Sequence, residues 1–248
     1  MSELFYCNWG GTDVQNTSPP GGEYAYDSVA GSTDFTKMTD GLGWNSDTNY
    51  LKLVTASASR YPQIQLSAIA GQTSGRFMFK ITSLGMNDTQ SVSIHIIRNV
   101  SSASQHAIKL YNNAGTPEIQ GFTRTGSSSG SFVQYGSNIA IELNKWYQCE
   151  IIYKTNTTSG ASFKLWSENG ATQIGSTQAS NTVSSVDIEI CRIGSMDAVA
   201  NTNTLLFNRH HIWDDWTFPG PIVVAATGGD FKSTERGIMR GVGRRVVS

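Results

Sequence analysis

Asn144-Lys145-Trp146-Tyr147-Gln148-Cys149-Glu150-Ile151-Ile152-Tyr153-Lys154-Thr155, followed after a Thr/Ser/Gly turn by Ala161-Ser162-Phe163-Lys164-Leu165-Trp166, decides the fold class of this chain. Tyr147, Cys149, Ile151 and Tyr153 recur with a period of two, and Gln148, Glu150 and Lys154 take the alternate positions. Successive side chains of a strand point to opposite faces, so the pattern predicts one buried face and one wet face. Phe163 and Leu165 then alternate with Lys164, and residues 156–160 supply turn formers. Together the two runs predict an antiparallel hairpin.

The same alternation extends outward from this hairpin. Phe77, Phe79 and Ile81 alternate with Met78, Lys80 and Thr82, and Val92, Ile94 and Ile96 alternate with Ser91, Ser93 and His95. Further strand-like runs fall at 4–7, 50–54, 63–69, 107–111, 119–123, 132–135, 139–143, 183–193 and 204–213. Turn-forming separators at 112–115, 126–130 and 168–170 punctuate them. No window of helical length carries a 3.6-residue period. Many short strands without intervening helices predict an all-β sandwich or barrel.

Composition sets the outer limits. A chain of 248 residues suits one large sandwich, and 38% hydrophobic with 10% aromatic residues suffices for a core. Only 15% of residues are charged and the net charge is -1, so nothing global points to nucleic acid. No run of 18 apolar residues predicts a membrane span. The opening Met-Ser-Glu-Leu-Phe-Tyr-Cys-Asn-Trp-Gly has no basic region and no apolar segment of signal length, which predicts folding in a cytoplasm. Cys7, Cys149 and Cys191 are widely spaced and odd in number, which argues against a disulfide framework or a zinc cluster. The Asn-x-Ser/Thr sequons at Asn16, Asn87, Asn99 and Asn156 follow from a Ser/Thr/Asn-rich composition.

Pro219 and Pro221 mark a boundary, dividing the chain into a body at 1–220 and a C-terminal arm at 221–248. Arg236, Arg240 and Arg244 stand four apart, as do Ile238, Val242 and Val246. A helix there would cost about 1 kcal/mol at each of Gly237, Gly241 and Gly243. An extended arm that orders on a partner is the better reading. Its anchoring residues are Arg236, Ile238, Met239, Arg240, Val242, Arg244, Arg245 and Val246. The arm has few positive charges and no aromatic platform, which disfavours nucleic acid.

Three pieces combine into a family resemblance. They are the opening Leu4-Phe5-Tyr6 with Trp9-Gly10-Gly11-Thr12-Asp13, the central hairpin, and the late Phe207-Asn208-Arg209-His210-His211-Ile212-Trp213-Asp214-Asp215-Trp216 before Gly220-Pro221. This series is similar to the concanavalin A-like (laminin-G-like) jelly roll of bacteriophage virion proteins, over roughly residues 1 to 220. The resemblance implies two packed antiparallel sheets, one convex and one concave, and in the wider superfamily the concave sheet often holds carbohydrate.

Ser185-Val186-Asp187-Ile188-Glu189 resembles the Glu-x-Asp-x-Glu strand of the laminarinase-like glycoside hydrolases. Retaining hydrolysis needs two carboxyls about 5–5.5 Å apart, one of them a nucleophile. Ser185 stands where that family has its nucleophilic glutamate, so the mechanism fails at its first residue. Asp187, Glu189 and Trp166 remain as glycan-binding candidates. His210 and His211, next to Asp214 and Asp215, invite a metal reading, but adjacent histidines on a strand face opposite ways. No metal site and no cofactor are expected.

The expectation from sequence is therefore a non-enzymatic structural protein of a bacteriophage virion, made in the host cytoplasm. Its jelly-roll body is displayed on the capsid or tail, and its arm is anchored to neighbouring virion proteins, with symmetric copies of the chain as further partners. Carbohydrate binding to a surface glycan is the alternative, and glycoside hydrolysis ranks last.

Overall fold

A computed structural model describes residues 2–55, 58–99, 101, 103–181, 184–197 and 202–224. The anchoring residues Arg236 to Val246 lie outside them. Two antiparallel sheets form the sandwich, as the alternation predicts. One sheet runs β13 (Gln173–Ala179), β12 (Ala161–Ser167), β11 (Trp146–Lys154), β6 (Gln72–Ser83), β15 (Thr204–Asp214), β4 (Tyr50–Val54), β3 (Phe35–Met38). The strand β1 (Ser2–Cys7) pairs with the later half of β15, beyond the stretch that β4 occupies. The other sheet runs β10 (Phe132–Ala140), β9 (Thr116–Arg124), β8 (Ser104–Asn113), β7 (Ser91–Arg98), β14 (Ile188–Ile193), β5 (Tyr61–Ala70), β2 (Ser28–Ala30). Below they are called the eight-stranded and the seven-stranded sheet.

The hairpin that opened the reading is β11–β12, with Cys149 opposite Leu165 and Ile151 opposite Phe163. Its inward residues join Phe77, Phe79, Phe207 and Leu205 in one buried cluster with Val92, Ile108, Leu110 and Ile119 of the facing sheet. Gly121 packs against this interior at a point where no side chain fits. A Cβ there would lie 2.4 Å from Tyr135 Cζ. Three strands lie outside the runs predicted from sequence. β2, β3 and β13 are short or rich in Gly, Ser and Gln, so they carry little apolar alternation. The run expected at 183–193 begins as a strand only at Ile188, and Ser185, Val186 and Asp187 precede it.

Pairing shifts at several points, and three of them bear on which side chains reach one part of the interior. In β7 the pairing shifts between Ser93 and His95, so His95 turns inward although it follows the inward Ile94. In β15 the pairing with β6 shifts between Asn208 and His211, and Arg209 takes φ 46. Leu205 and Phe207 face inward before this bulge, and His210 and Ile212 face inward after it. Beside β14 the extra residues lie on its partner β5, where Ala70 to Gln65 stand against Ile188 to Ile190, and both Ile188 and Cys191 lie in the core. A bulge places two residues opposite one, which reverses the strand's phase.

The interior also holds His106, whose Nε2 shares a 2.6 Å hydrogen bond with the Tyr135 hydroxyl. Burial lowers the His106 pKa to about 3. Because this lies below the unfolded value of about 6.5, the unfolded chain takes up a proton first as pH falls. The resulting stability is fully present above pH ~6.5 and is lost towards pH ~3, at up to about 1.4 kcal/mol per pH unit. His106→Gln should therefore flatten the acid limb of the stability curve between pH 6 and 4 (values chosen within that window). Urea melts at stepped pH check this; an unchanged slope would mean that His106 does not titrate with unfolding.

Candidate functional site

Among the described residues, the two outer surfaces of the sandwich differ: a chain segment crosses the eight-stranded sheet and none crosses the seven-stranded one. On the eight-stranded sheet, the segment after β15 doubles back over β6, β11 and β12. Arg76 donates to the Gly220 carbonyl at 2.7 Å. Gln148 holds Ile222 with a matched pair, its amide donating to the Ile222 carbonyl and its Oε1 accepting from the Ile222 N–H, both at 2.8 Å. The Val224 N–H then donates to the Asn169 carbonyl. Lys154 lies over the Trp216 ring and Lys164 over Phe218.

This strap changes the expected wet face of the hairpin. Gln148 and Glu150 are fully buried, although they alternate out of phase with the core. Burial raises the Glu150 pKa, opposed chiefly by the hydrogen bond that Trp166 Nε1 donates to its Oε2 at 2.7 Å. Ile222 and Val224 also pack against a second apolar cluster of Trp44, Tyr50, Met78, Trp146 and Leu206. Packing on the sandwich thus continues past residue 220 to Val224. A cavity of about 410 Å³ opens beside the strap, lined by Glu142, Trp146, Tyr147, Glu168 and Ile174 among others. Its cation, Lys145, is bound by Glu142.

The outer surface of the seven-stranded sheet carries a different set. Direct pairing aligns Gln63, Arg192, Ile96, Ala107, Phe122 and Gln134 in one row across six strands. Their sequence neighbours Ile64, Cys191 and Ile97 face the core, so this row faces out. Three half-buried rings lie on this side, and each has a cation over it. Arg192 sits 4.1 Å from the Tyr61 centroid, Lys109 4.6 Å from Phe122 and Arg124 5.7 Å from Phe132. Phe122 and Phe132 stack at 5.7 Å.

Arg98, which pairs with Ile190, adds a fourth cation beside Arg192. Burial lowers the pKa of both guanidiniums, and the charge of Arg98 further lowers that of Arg192. Gln63 accepts from Arg192 Nε at 2.7 Å, while Arg98 Nε is buried with no hydrogen-bond partner. Among the described residues no ion pair reaches Arg98, Lys109, Arg124 or Arg192. Of the carboxylates on or beside this sheet, Glu118 accepts from Asn113 and Asn138 and Asp197 accepts from Ser93, whereas Glu189 of β14 has a buried Oε2 with no hydrogen-bond partner. The arrangement suits a ligand that offers both negative charge and flat apolar surface.

Trp166 lies on the outer side of the eight-stranded sheet, with its N–H committed to Glu150. Glu189 belongs to β14 of the seven-stranded sheet, and the exposed Asp187 lies just before that strand. The fold therefore does not bring Trp166 together with the two acids. Arg98, Arg192, Tyr61 and Phe122 did not stand out in the sequence. They come from four strands, and the available signal was only that polar or aromatic residues occupy the outward positions.

No protein-family model matches the sequence. No curated protein matches it either. Solved structures do share the fold. An endo-β-1,4-glucuronan lyase from the fungus Trichoderma reesei superposes with a TM-score of 0.61 at 14% identity, covering 90% of this chain and 100% of the lyase. The receptor-binding domain of botulinum neurotoxin type G gives a TM-score of 0.54 at 11% identity over 88% of this chain. The serotype D ligand-binding domain in complex with N-acetylneuraminic acid gives 0.52 at 15% over 87%. This chain spans about half the length of the two toxin chains, 49% and 48%. At these identities the likeness establishes the sandwich fold.

The Gln148–Ile222 pair accounts for the attachment of the strap. Gln148→Leu should lower stability by about 1–3 kcal/mol, because both Ile222 backbone groups lose their partner. Amide exchange at Ile222 and Val224 should quicken, while Phe207 in β15 stays protected. Unaltered exchange at Ile222 would show that another contact holds the strap.

Proposed function

We propose that this chain is a glycan-binding domain whose ligand is an acidic carbohydrate, held on the outer surface of the seven-stranded sheet. The observation that carries this reading is the set of three ring–cation pairs with Arg98 beside them, on the side that no strap covers. Two like-charged, partly desolvated guanidiniums, Arg98 and Arg192, repel each other. A carboxylate between them relieves that repulsion and accepts their hydrogen bonds. Tyr61, Phe122 and Phe132 offer flat apolar surface to the hydrophobic faces of sugar rings. Two fold neighbours, the glucuronan lyase and the toxin domain in complex with N-acetylneuraminic acid, involve acidic sugars, which supports the choice of ligand class.

Recognition is by charge and stacking and needs no bond to break. An acidic oligosaccharide laid across the strands would meet the Arg98–Arg192 pair near β14 and the Phe122–Phe132 stack near β9 and β10. On binding, acidic oligosaccharides should outrank neutral ones of equal length, and affinity should fall as salt rises. Arg192→Gln and Arg98→Gln should each weaken binding about tenfold or more, from the loss of one charge-assisted contact. Titration calorimetry with oligoglucuronate and a neutral glucan checks this. Equal affinity for both sugars, or full affinity in both variants, would exclude the reading.

A second reading is that the body is displayed on a bacteriophage particle through its C-terminal arm, with the sugar-binding surface turned outward. It is favoured by the strap, which fixes the chain to the sandwich as far as Val224, just before the stretch that holds Arg236, Arg240 and Arg244. In this reading the body acts without catalysis and the arm grips neighbouring virion proteins, with many weak contacts summed by symmetry. Removing residues 231–248 should leave a folded body that no longer joins particles (the deletion starts beyond the strap). Normal incorporation of the truncated chain would exclude anchoring by the arm.

A further inference from the structure

His95, Cys191 and His210 meet at one point in the interior, and all three are buried. His95 Nε2 and His210 Nε2 are 3.3 Å apart. Cys191 Sγ lies 3.2 Å from the first and 3.7 Å from the second. Two imidazole nitrogens bound tetrahedrally to one ion at about 2.0–2.1 Å stand roughly 3.3 Å apart. A nitrogen and a thiolate sulfur, the latter at about 2.3 Å from the ion, stand roughly 3.6 Å apart. Two edges of the observed triangle follow that pattern, and the His95–Cys191 edge of 3.2 Å is shorter than it.

We propose that His95, Cys191 and His210 bind one thiophilic metal ion, Zn²⁺ or Cu⁺, through two Nε2 atoms and one Sγ. Imidazole and thiolate donors together select this class over hard cations such as Mg²⁺ or Ca²⁺. The surroundings hold the rings for the purpose. His95 stacks flat on Phe77, at 4.9 Å and 5°, and the edge of Phe5 meets His210 at 5.4 Å. The Tyr26 hydroxyl lies 2.8 Å from His210 Nδ1. With Nδ1–H donating to that hydroxyl, the Nε2 lone pair is left to face the ion, as the outer partners of metal-bound histidines commonly arrange.

His95 follows the bulge in β7 and His210 lies within the bulge of β15, and bulges of this kind commonly re-aim side chains at functional sites. Ion binding would release the Cys191 proton to solvent and leave a thiolate on the metal. His210 comes from the eight-stranded sheet, and His95 and Cys191 from the seven-stranded one. The ion therefore clamps the two sheets together, a structural role distinct from the outer sugar-binding surface. No fourth His, Cys, Asp or Glu joins the three among the described residues. Three protein donors complete the preferred set of Cu⁺, while Zn²⁺ would add one non-protein ligand.

The test uses the full chain, stripped with chelator and then titrated separately with Zn²⁺ and with Cu⁺ under reducing conditions. One ion should bind per chain, with a rise in Tm, and X-ray absorption at the metal edge should show two nitrogen scatterers and one sulfur. A three-coordinate spectrum would assign Cu⁺, and a four-coordinate one Zn²⁺. Cys191→Ser and His210→Gln should lose the ion, whereas His106→Gln should retain it. Should those two variants fail to fold, the metal-edge spectrum of the natural chain still decides. No uptake of either ion, or a bound ion without a sulfur neighbour, would overturn the proposal.

Discussion

The interior between the two sheets is apolar, and the polar side chains buried there mostly meet one another, while the Nδ1 atoms of His95 and His106 have no hydrogen-bond partner. Burying an unpaired polar group costs several kcal/mol, so each polar group in the core needs a stated partner. Tyr153 donates to Ser184 and to the Val186 carbonyl, His106 meets Tyr135, and Tyr26 meets His210. Around them, Phe77, Phe79, Phe163 and Phe207 fill the space between the sheets. His95, Cys191 and His210 satisfy the same constraint in a more demanding way. Their three lone-pair atoms converge, and a shared ion answers that arrangement more fully than hydrogen bonds among three such groups.

Outside the core, the two sheets part in character because, among the described residues, a strap crosses the eight-stranded one alone. The strap turns the outer side of the eight-stranded sheet into a second, smaller interior, with Trp44, Met78 and Trp146 beneath Ile222 and Val224. Gln148 illustrates the consequence. Its amide is wholly buried, and both of its polar atoms are matched to the backbone of the strap. The seven-stranded sheet keeps its cations and rings open. Cation–π contacts of Arg192, Lys109 and Arg124 keep the charged heads close to the sheet, where a ligand can use them together with the aromatic surface.

Much of the fold was legible from local pattern. The alternation in β6 and β11 located their inward residues, and turn formers located the hairpin loop. Pattern reading failed where two strand residues oppose one. In β7, extending the alternation from Val92 and Ile94 places Ile96 inward and His95 outward, yet the bulge reverses both. Nothing in Ser93-Ile94-His95 marks that bulge, because it is set by pairing with β8. Trp166 misled in a related way. It is out of phase with the core, and the segment after β15 lies over its side of the sheet, which leaves Trp166 half-buried.

By itself, the amino-acid sequence determined the all-β class, the central hairpin and the inward phase of the uninterrupted strands. Those properties depend on residues two apart, and period two is visible along the chain. Only the tertiary structure decided which outer surface stays open, which cations lie together and which histidines meet a thiol. Those depend on strand order, on bulges fixed by neighbouring strands and on a strap from far along the chain. Each brings together residues whose spacing in sequence, such as the 96 positions between His95 and Cys191, carries no trace of their distance in space.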